Sequence, residues 1–140
     1  MIYKSMFTEQ KTLSSLTLGD FVRHVAAKIT ESNEGFPYNK EEPWHTMLIE
    51  MRNKYQNKLE FLKSIKFEVG EVPYPRCKKL SEFLQALHWS GALTVENPTY
   101  ANACVIPSLV KEWIQEENEL DEVYRDIIED AVQEFITPAK

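Results

Sequence analysis

The sequence predicts a mainly α fold, with four or five helices and one small β-hairpin, in a single domain over residues 1–140. Three observations carry that expectation. Apolar residues recur at i, i+3, i+4 and i+7 through most of the chain, the spacing of one helix face. One stretch breaks this rule: Ala92–Val95 and Ala101–Ile106 are short apolar runs on either side of Glu96-Asn97-Pro98-Thr99, which is turn chemistry. The composition is 43% apolar and 27% charged, with only four glycines, which suits a packed globular chain and not a glycine-rich barrel or a phosphate-cradling loop. At 140 residues one domain is the natural expectation.

Taken in order, Met1–Ser15 has no firm period, but Met1, Ile2, Tyr3, Met6 and Phe7 predict that it docks on the core. Thr17-Leu18-Gly19-Asp20 reads as a capping box, and Leu18, Phe21, Val22, Val25, Ala26 and Ile29 follow as the apolar face of a first helix ending near Ser32. Glu31–Pro43 reads as a polar loop anchored by Phe36 and Tyr38. Pro43 suits the first turn of a second helix. The stripe Trp44, Met47, Leu48, Met51, Tyr55, Leu59, Leu62 and Ile65 extends that helix over about 22 residues, roughly 33 Å. Phe67–Pro73 alternates weakly, as a strand or an extended connection. Pro73 and Pro75 delay the next helix to about Lys78. That helix runs to Ser90 with Leu80, Phe83, Leu84 and Leu87 on one face, and Gly91 stops it. After the hairpin, Pro107-Ser108 opens a further helix, with Ser108 as the expected N-cap. Its stripe stumbles at Glu116–Asn118 and resumes at Leu120, which fits one interrupted helix or two helices divided near Asn118. The acids Glu119, Glu122, Asp126 and Glu129 or Asp130 oppose that stripe and are expected to face water.

Charge is unevenly spread. The net charge is −6, and Pro107–Lys140 holds ten acids against three bases. Arg52–Lys79 holds eight bases against Glu60, Glu68 and Glu71. A basic middle and an acidic end either pack near each other or form partner surfaces. No apolar run approaches the length of a membrane span. Lys4, Glu9 and Lys11 interrupt the start, so it does not read as a secretory signal. The expected setting is cytoplasmic, with Cys77 and Cys104 as thiols.

Chemistry-bearing motifs are few. His24, His45, His88, Cys77 and Cys104 show none of the short paired spacings of structural zinc, so no metal or other cofactor is expected. His24 is expected on the flank of the first helix, and His88 at a boundary beside Trp89. Cys77 falls at a helix start among Arg76, Lys78 and Lys79, an environment that activates a thiol, yet it also lies on the apolar stripe. Packing is its expected role. No catalytic constellation, GxSxG, HExxH or small-molecule site is evident.

Helix, Gly91, hairpin and helix together resemble the wing-bearing half of a winged-helix fold, over about a quarter of the chain. That resemblance implies that the helix before the wing enters the major groove. The bases able to meet phosphates are then Arg76, Lys78 and Lys79, with Arg52, Lys54 and Lys58 on the second helix. The chain departs from the pattern: Glu82 lies on the reading helix, and Val95–Tyr100 contains Glu96 and neither lysine nor arginine. The expected function is therefore non-enzymatic: an adaptor, regulator or inhibitor that binds another protein or a second copy of itself. A winged-helix-like nucleic-acid regulator is the alternative. An enzyme would instead require a polar pocket gathering His88, Cys77 or several acids. Trp89 beside Pro98 and Tyr100 suits a protein contact, or a hairpin docked on its own helix.

Overall fold

The computed structural model describes residues 15–33, 36–37, 40–70, 72–95 and 102–136. Residues 1–14, the expected docking segment, and 96–101, the expected turn with Pro98 and Tyr100, lie outside the described residues. The fold is mainly helical, with a small antiparallel sheet. In chain order the elements are α1 (Leu18–Asn33), β1 (Phe36–Pro37), α2 (Glu42–Tyr55), α3 (Glu60–Ser64), α4 (Lys78–Trp89), β2 (Leu93–Val95), β3 (Asn102–Val105), α5 (Pro107–Asn118) and α6 (Glu122–Ile136).

Helix α1 is the hub on which α4, α5, α6, β1 and β3 pack. Phe21, Val25, Ala26, Ala27 and Ile29 are all fully buried, so apolar side chains surround the helix on most sides. The capping box forms reciprocally: the Asp20 amide donates to Thr17 Oγ1 at 3.2 Å, and the Thr17 amide donates to Asp20 Oδ2 at 3.0 Å. Gly19 sits where α1 meets α4, and a Cβ there would fall 3.0 Å from the Phe83 ring. Replacing Thr17 by alanine is expected to lower stability by about 1 kcal/mol. Urea unfolding of the two proteins measures it.

The expected long second helix is broken. Helix α2 stops at Tyr55, and exposed Gln56, Asn57 and Lys58 form a turn closed by the Lys58 amide on the Tyr55 carbonyl at 2.8 Å. Leu59 is extended (φ −120°, ψ 116°), and α3 leaves in a new direction. The reason is burial. The redirection puts Leu59, Phe61 and Leu62 into the core. Each is worth roughly 1.5–3 kcal/mol, against about 1 kcal/mol for each intrahelical hydrogen bond given up. Of the two readings for the stretch after α3, the described residues show the extended connection: Glu68 and Arg76 form an isolated antiparallel bridge, with N···O distances of 2.8 and 2.9 Å.

Helix α4 ends as expected. The Ser90 amide bonds the Ala86 carbonyl at 2.9 Å, and Gly91 takes φ +81°, open to glycine at no steric cost. Strands β2 and β3 pair antiparallel with Leu93 opposite Val105 and Val95 opposite Ala103. The segment read as a polar loop supplies a third strand. Phe36, buried at the core, pairs with Ala103, which gives the order β1-β3-β2. Pro37 is tolerated there because β1 is an edge strand.

The final third is two helices. Pro107 takes the first turn of α5 and Ile106, not Ser108, is its N-cap. Asp121 opens α6, its Oδ1 accepting the Val123 amide at 2.8 Å. Among the described residues, no helix is long and apolar enough to cross a membrane.

Candidate functional site

The predicted bases sit in different local settings. Lys54 reaches from α2 to α6, 3.3 Å from Asp130 and 3.9 Å from Glu134. Its neighbour Tyr55 donates to the same Asp130, and that hydrogen bond pushes the phenol up to about 12. The basic middle and acidic end thus meet within the chain at this surface clasp. Arg52 lies over the Phe67 ring, 4.7 Å from its centroid. Lys58 is exposed in the turn after α2, while Lys78 and Lys79 are exposed at the start of α4 beside half-buried Arg76. Glu119, Glu122, Asp126 and Glu129 are exposed, as expected.

Helix α4 has one buried and one open side. Cys77, Leu80, Ser81 and Leu87 face the core. Lys78, Lys79, Glu82, Gln85, Ala86 and Trp89 form a continuous exposed stripe. Trp89 is 82% exposed. Its ring stands edge-on to His88, with centroids 5.7 Å apart. His88 in turn lines a groove of about 220 Å³ whose apolar walls are Phe36, Trp44, Leu84 and Leu93, rimmed by Lys40, Glu41 and Gln85. Four elements build it: β1, the start of α2, the second half of α4, and β2.

Glu41 on the groove's rim also belongs to a largely buried polar cluster that sequence reasoning missed. His45 is fully buried on α2 and Ser81 nearly so on α4. The Cys77 amide donates to His45 Nδ1 at 3.0 Å, His45 Nε2 lies 3.2 Å from Glu41 Oε1, and the Ser81 hydroxyl donates to the same Oε1 at 2.6 Å. The grouping has the residue types of a serine–histidine–acid triad, and its hydrogen-bond directions run the wrong way. Nδ1 spends its lone pair on the Cys77 amide, so Nε2 carries the hydrogen and points it at Glu41. It then has no lone pair for the Ser81 proton, 3.4 Å off. Burial lowers the His45 pKa, partly offset by Glu41, which favours this uncharged ring. The cluster fastens the start of α2 to the start of α4. Cys77 is 1% exposed and acts as packing and N-cap, and both it and Cys104 are free thiols. Only the i, i+4 spacing of Glu41 and His45 hinted at this cluster.

A second network corrects the placement of His24. It is not on a flank but 1% exposed between α1, α5 and α6. His24 Nε2 meets Glu116 Oε1 at 2.9 Å, and Nδ1 meets the Tyr124 hydroxyl at 2.6 Å. Arg23 bridges Glu116 at 3.0 Å and Asp20 at 2.7 Å, and packs over Trp113. The His24 hydrogen bond first, and Arg23 second, hold the Glu116 carboxyl down at about 2. With both ends of the imidazole engaged by buried or paired groups, this network is a structural tie. Among the described residues, no group of three or more His, Cys, Asp or Glu is arranged to hold a metal ion. No family model, curated protein or solved structure matches the chain.

Proposed function

We propose that this chain is a non-enzymatic protein-interaction domain, an adaptor, regulator or inhibitor, and that its partner docks on the groove beside Trp89. One observation carries the reading: an indole 82% exposed at the end of α4, next to a groove with two aromatic and two aliphatic walls. Leaving a tryptophan in water forgoes most of the roughly 1.5–3 kcal/mol that burying a large apolar side chain gains. Exposed tryptophan is also the residue type most enriched among interface hot spots. A groove of this size accepts an apolar side chain from a helix or loop, and the mixed rim of Lys40, Glu41, Gln85 and His88 offers hydrogen bonds around it.

The test replaces Trp89 by alanine. Because the side chain is exposed, stability is expected to change by less than about 0.5 kcal/mol. A protein retained by the wild-type chain in an affinity experiment is expected to bind the variant at least ~10-fold more weakly. Equal retention by both proteins overturns the assignment.

The alternative is a winged-helix-like nucleic-acid regulator. It is favoured by the exposed stripe of α4, which begins at Lys78 and Lys79 and ends beside the hairpin. Glu82 interrupts that stripe, and Lys54 is already committed to Asp130 and Glu134. Neutralising Arg76, Lys78 and Lys79 together separates the two readings. On this alternative it removes duplex binding that weakens steeply with salt, and on the proposed reading it leaves partner retention intact.

A further inference from the structure

Helix α5 ends on two consecutive glutamates in opposite circumstances. Glu116 accepts hydrogen bonds from Arg23 and His24. Glu117 is 1% exposed, and its Oε2 is the one buried side-chain polar atom among the described residues with no hydrogen-bond partner. The nearest cation, Lys28 of α1, stands 4.0 Å from the other oxygen and lies closer to Glu129 of α6, at 3.2 Å. The charged and titratable groups acting on Glu117 are Lys28 and His24 from α1, Arg125, Glu129 and Tyr124 from α6, and its neighbour Glu116. A buried carboxylate with one bare oxygen and no cation in hydrogen-bond reach is costly. The neutral acid in the same place is far less so.

We propose that Glu117 is a proton-operated latch on the joint between α1, α5 and α6: protonated, it lets α5 close on α1, and ionised, it draws water into the joint and loosens α5. Burial holds its carboxyl above the usual carboxylate range, in agreement with the geometry. An acid whose folded pKa is raised contributes stability that is complete below the unfolded value of about 4.5 and is lost as pH rises through the folded value. Glu116 has the opposite sign, and its contribution fades only as pH falls from about 4.5 toward 2. The two neighbours therefore act in separate pH windows. The latch has a route to the rest of the fold. Ile106 alone separates α5 from β3, and the Val105 amide of β3 is tied to Thr30 of α1 at 3.0 Å. Loosening α5 thus reaches the sheet. The proposal stands independently of the docking reading.

The test compares the wild type with Glu117→Gln, which keeps shape and hydrogen-bonding capacity and cannot ionise. At about pH 5 the two melting temperatures are expected to agree closely, and by about pH 9 the variant is expected to melt several degrees higher. Amide exchange in α5, compared at equal pH, is expected to be faster in the wild type at the alkaline end. A melting difference that is constant with pH overturns the proposal. Should the variant fold poorly, a carbon-13 titration of the wild-type Glu117 carboxyl decides instead. A midpoint above about 4.5 supports the latch, and one at or below that value sinks it.

Discussion

Replacing His24 by alanine is expected to destabilise the fold by about 2–4 kcal/mol, from the cavity a buried ring leaves and the two hydrogen bonds it loses. Three losses contribute. The imidazole leaves a cavity at a site 1% exposed. The Tyr124 hydroxyl, on a residue fully buried in α6, loses the acceptor 2.6 Å away. Glu116 loses one of its two charged or polar donors and keeps Arg23. Tyr124→Phe removes only the hydroxyl and is expected to cost about 1–2 kcal/mol. The double variant should be less destabilised than the sum, with a coupling of about 0.5–3 kcal/mol, because both changes break the same bond. The pH dependence gives a second signature. Glu116 is held down at about 2, with His24 the largest cause, so its stabilising effect is present above about 4.5 and disappears as pH falls toward 2. Without His24 that carboxyl rises toward its ordinary value and the acid-side loss shrinks. Glu116 is 38% exposed, so solvent screens the effect. Urea unfolding at neutral and acid pH measures both. A cost below about 1 kcal/mol would show that the tie is dispensable.

That network also shows where the sequence was legible and where it was not. Local signals carried through: Thr17 and Asp20 form their box, Gly91 stops α4 with positive φ, and Leu93 and Val105 pair across the hairpin. Each of these depends on residues close in sequence, or on one turn. The failures share a different cause. Glu116 and Glu117 interrupt an apolar stripe, which fitted one interrupted helix or the two helices that form, and nothing local told what the two acids would meet. In the fold Glu117 is buried and Glu116 meets Arg23 and His24, which arrive from α1 about 90 residues earlier. The stripe from Tyr55 to Leu62 is continuous on paper, yet the chain bends at Gln56–Lys58 because the core lies to one side. The β1 strand is only two residues long, and nothing but Phe36 marked it. The groove was illegible for the same reason: its walls come from four elements, and no two of Phe36, Trp44, Leu84 and Leu93 are closer than eight positions in sequence. The bases on α4 were visible as residues, but Lys54's commitment to Asp130 depended on α6.

Replacing Trp44 by alanine is expected to cost about 3–5 kcal/mol, the range for a large aromatic cut from a core. Trp44 is 1% exposed and its ring is edge-on to two others: Phe36 on β1 at 5.4 Å and 88°, and Phe135 on α6 at 5.0 Å and 65°. Such contacts add roughly 0.5–1.5 kcal/mol each beyond the area buried, so one side chain ties the edge of the sheet to the last helix. Trp44→Phe keeps an aromatic ring and is expected to recover more than half of the loss. The same residue is a wall of the groove beside Trp89, which gives the pair of variants a second use. If a partner inserts an apolar side chain there, Trp44→Phe widens the groove and changes partner affinity while the protein remains folded. If the partner instead grips the open stripe of α4, binding follows Trp89 and ignores Trp44→Phe. Thermal unfolding fixes the stability cost, and affinity measured on the folded Phe variant then tells a groove from a flat helix face. A Trp44→Ala protein that melts with the wild type would remove Trp44 as the tie between β1 and α6.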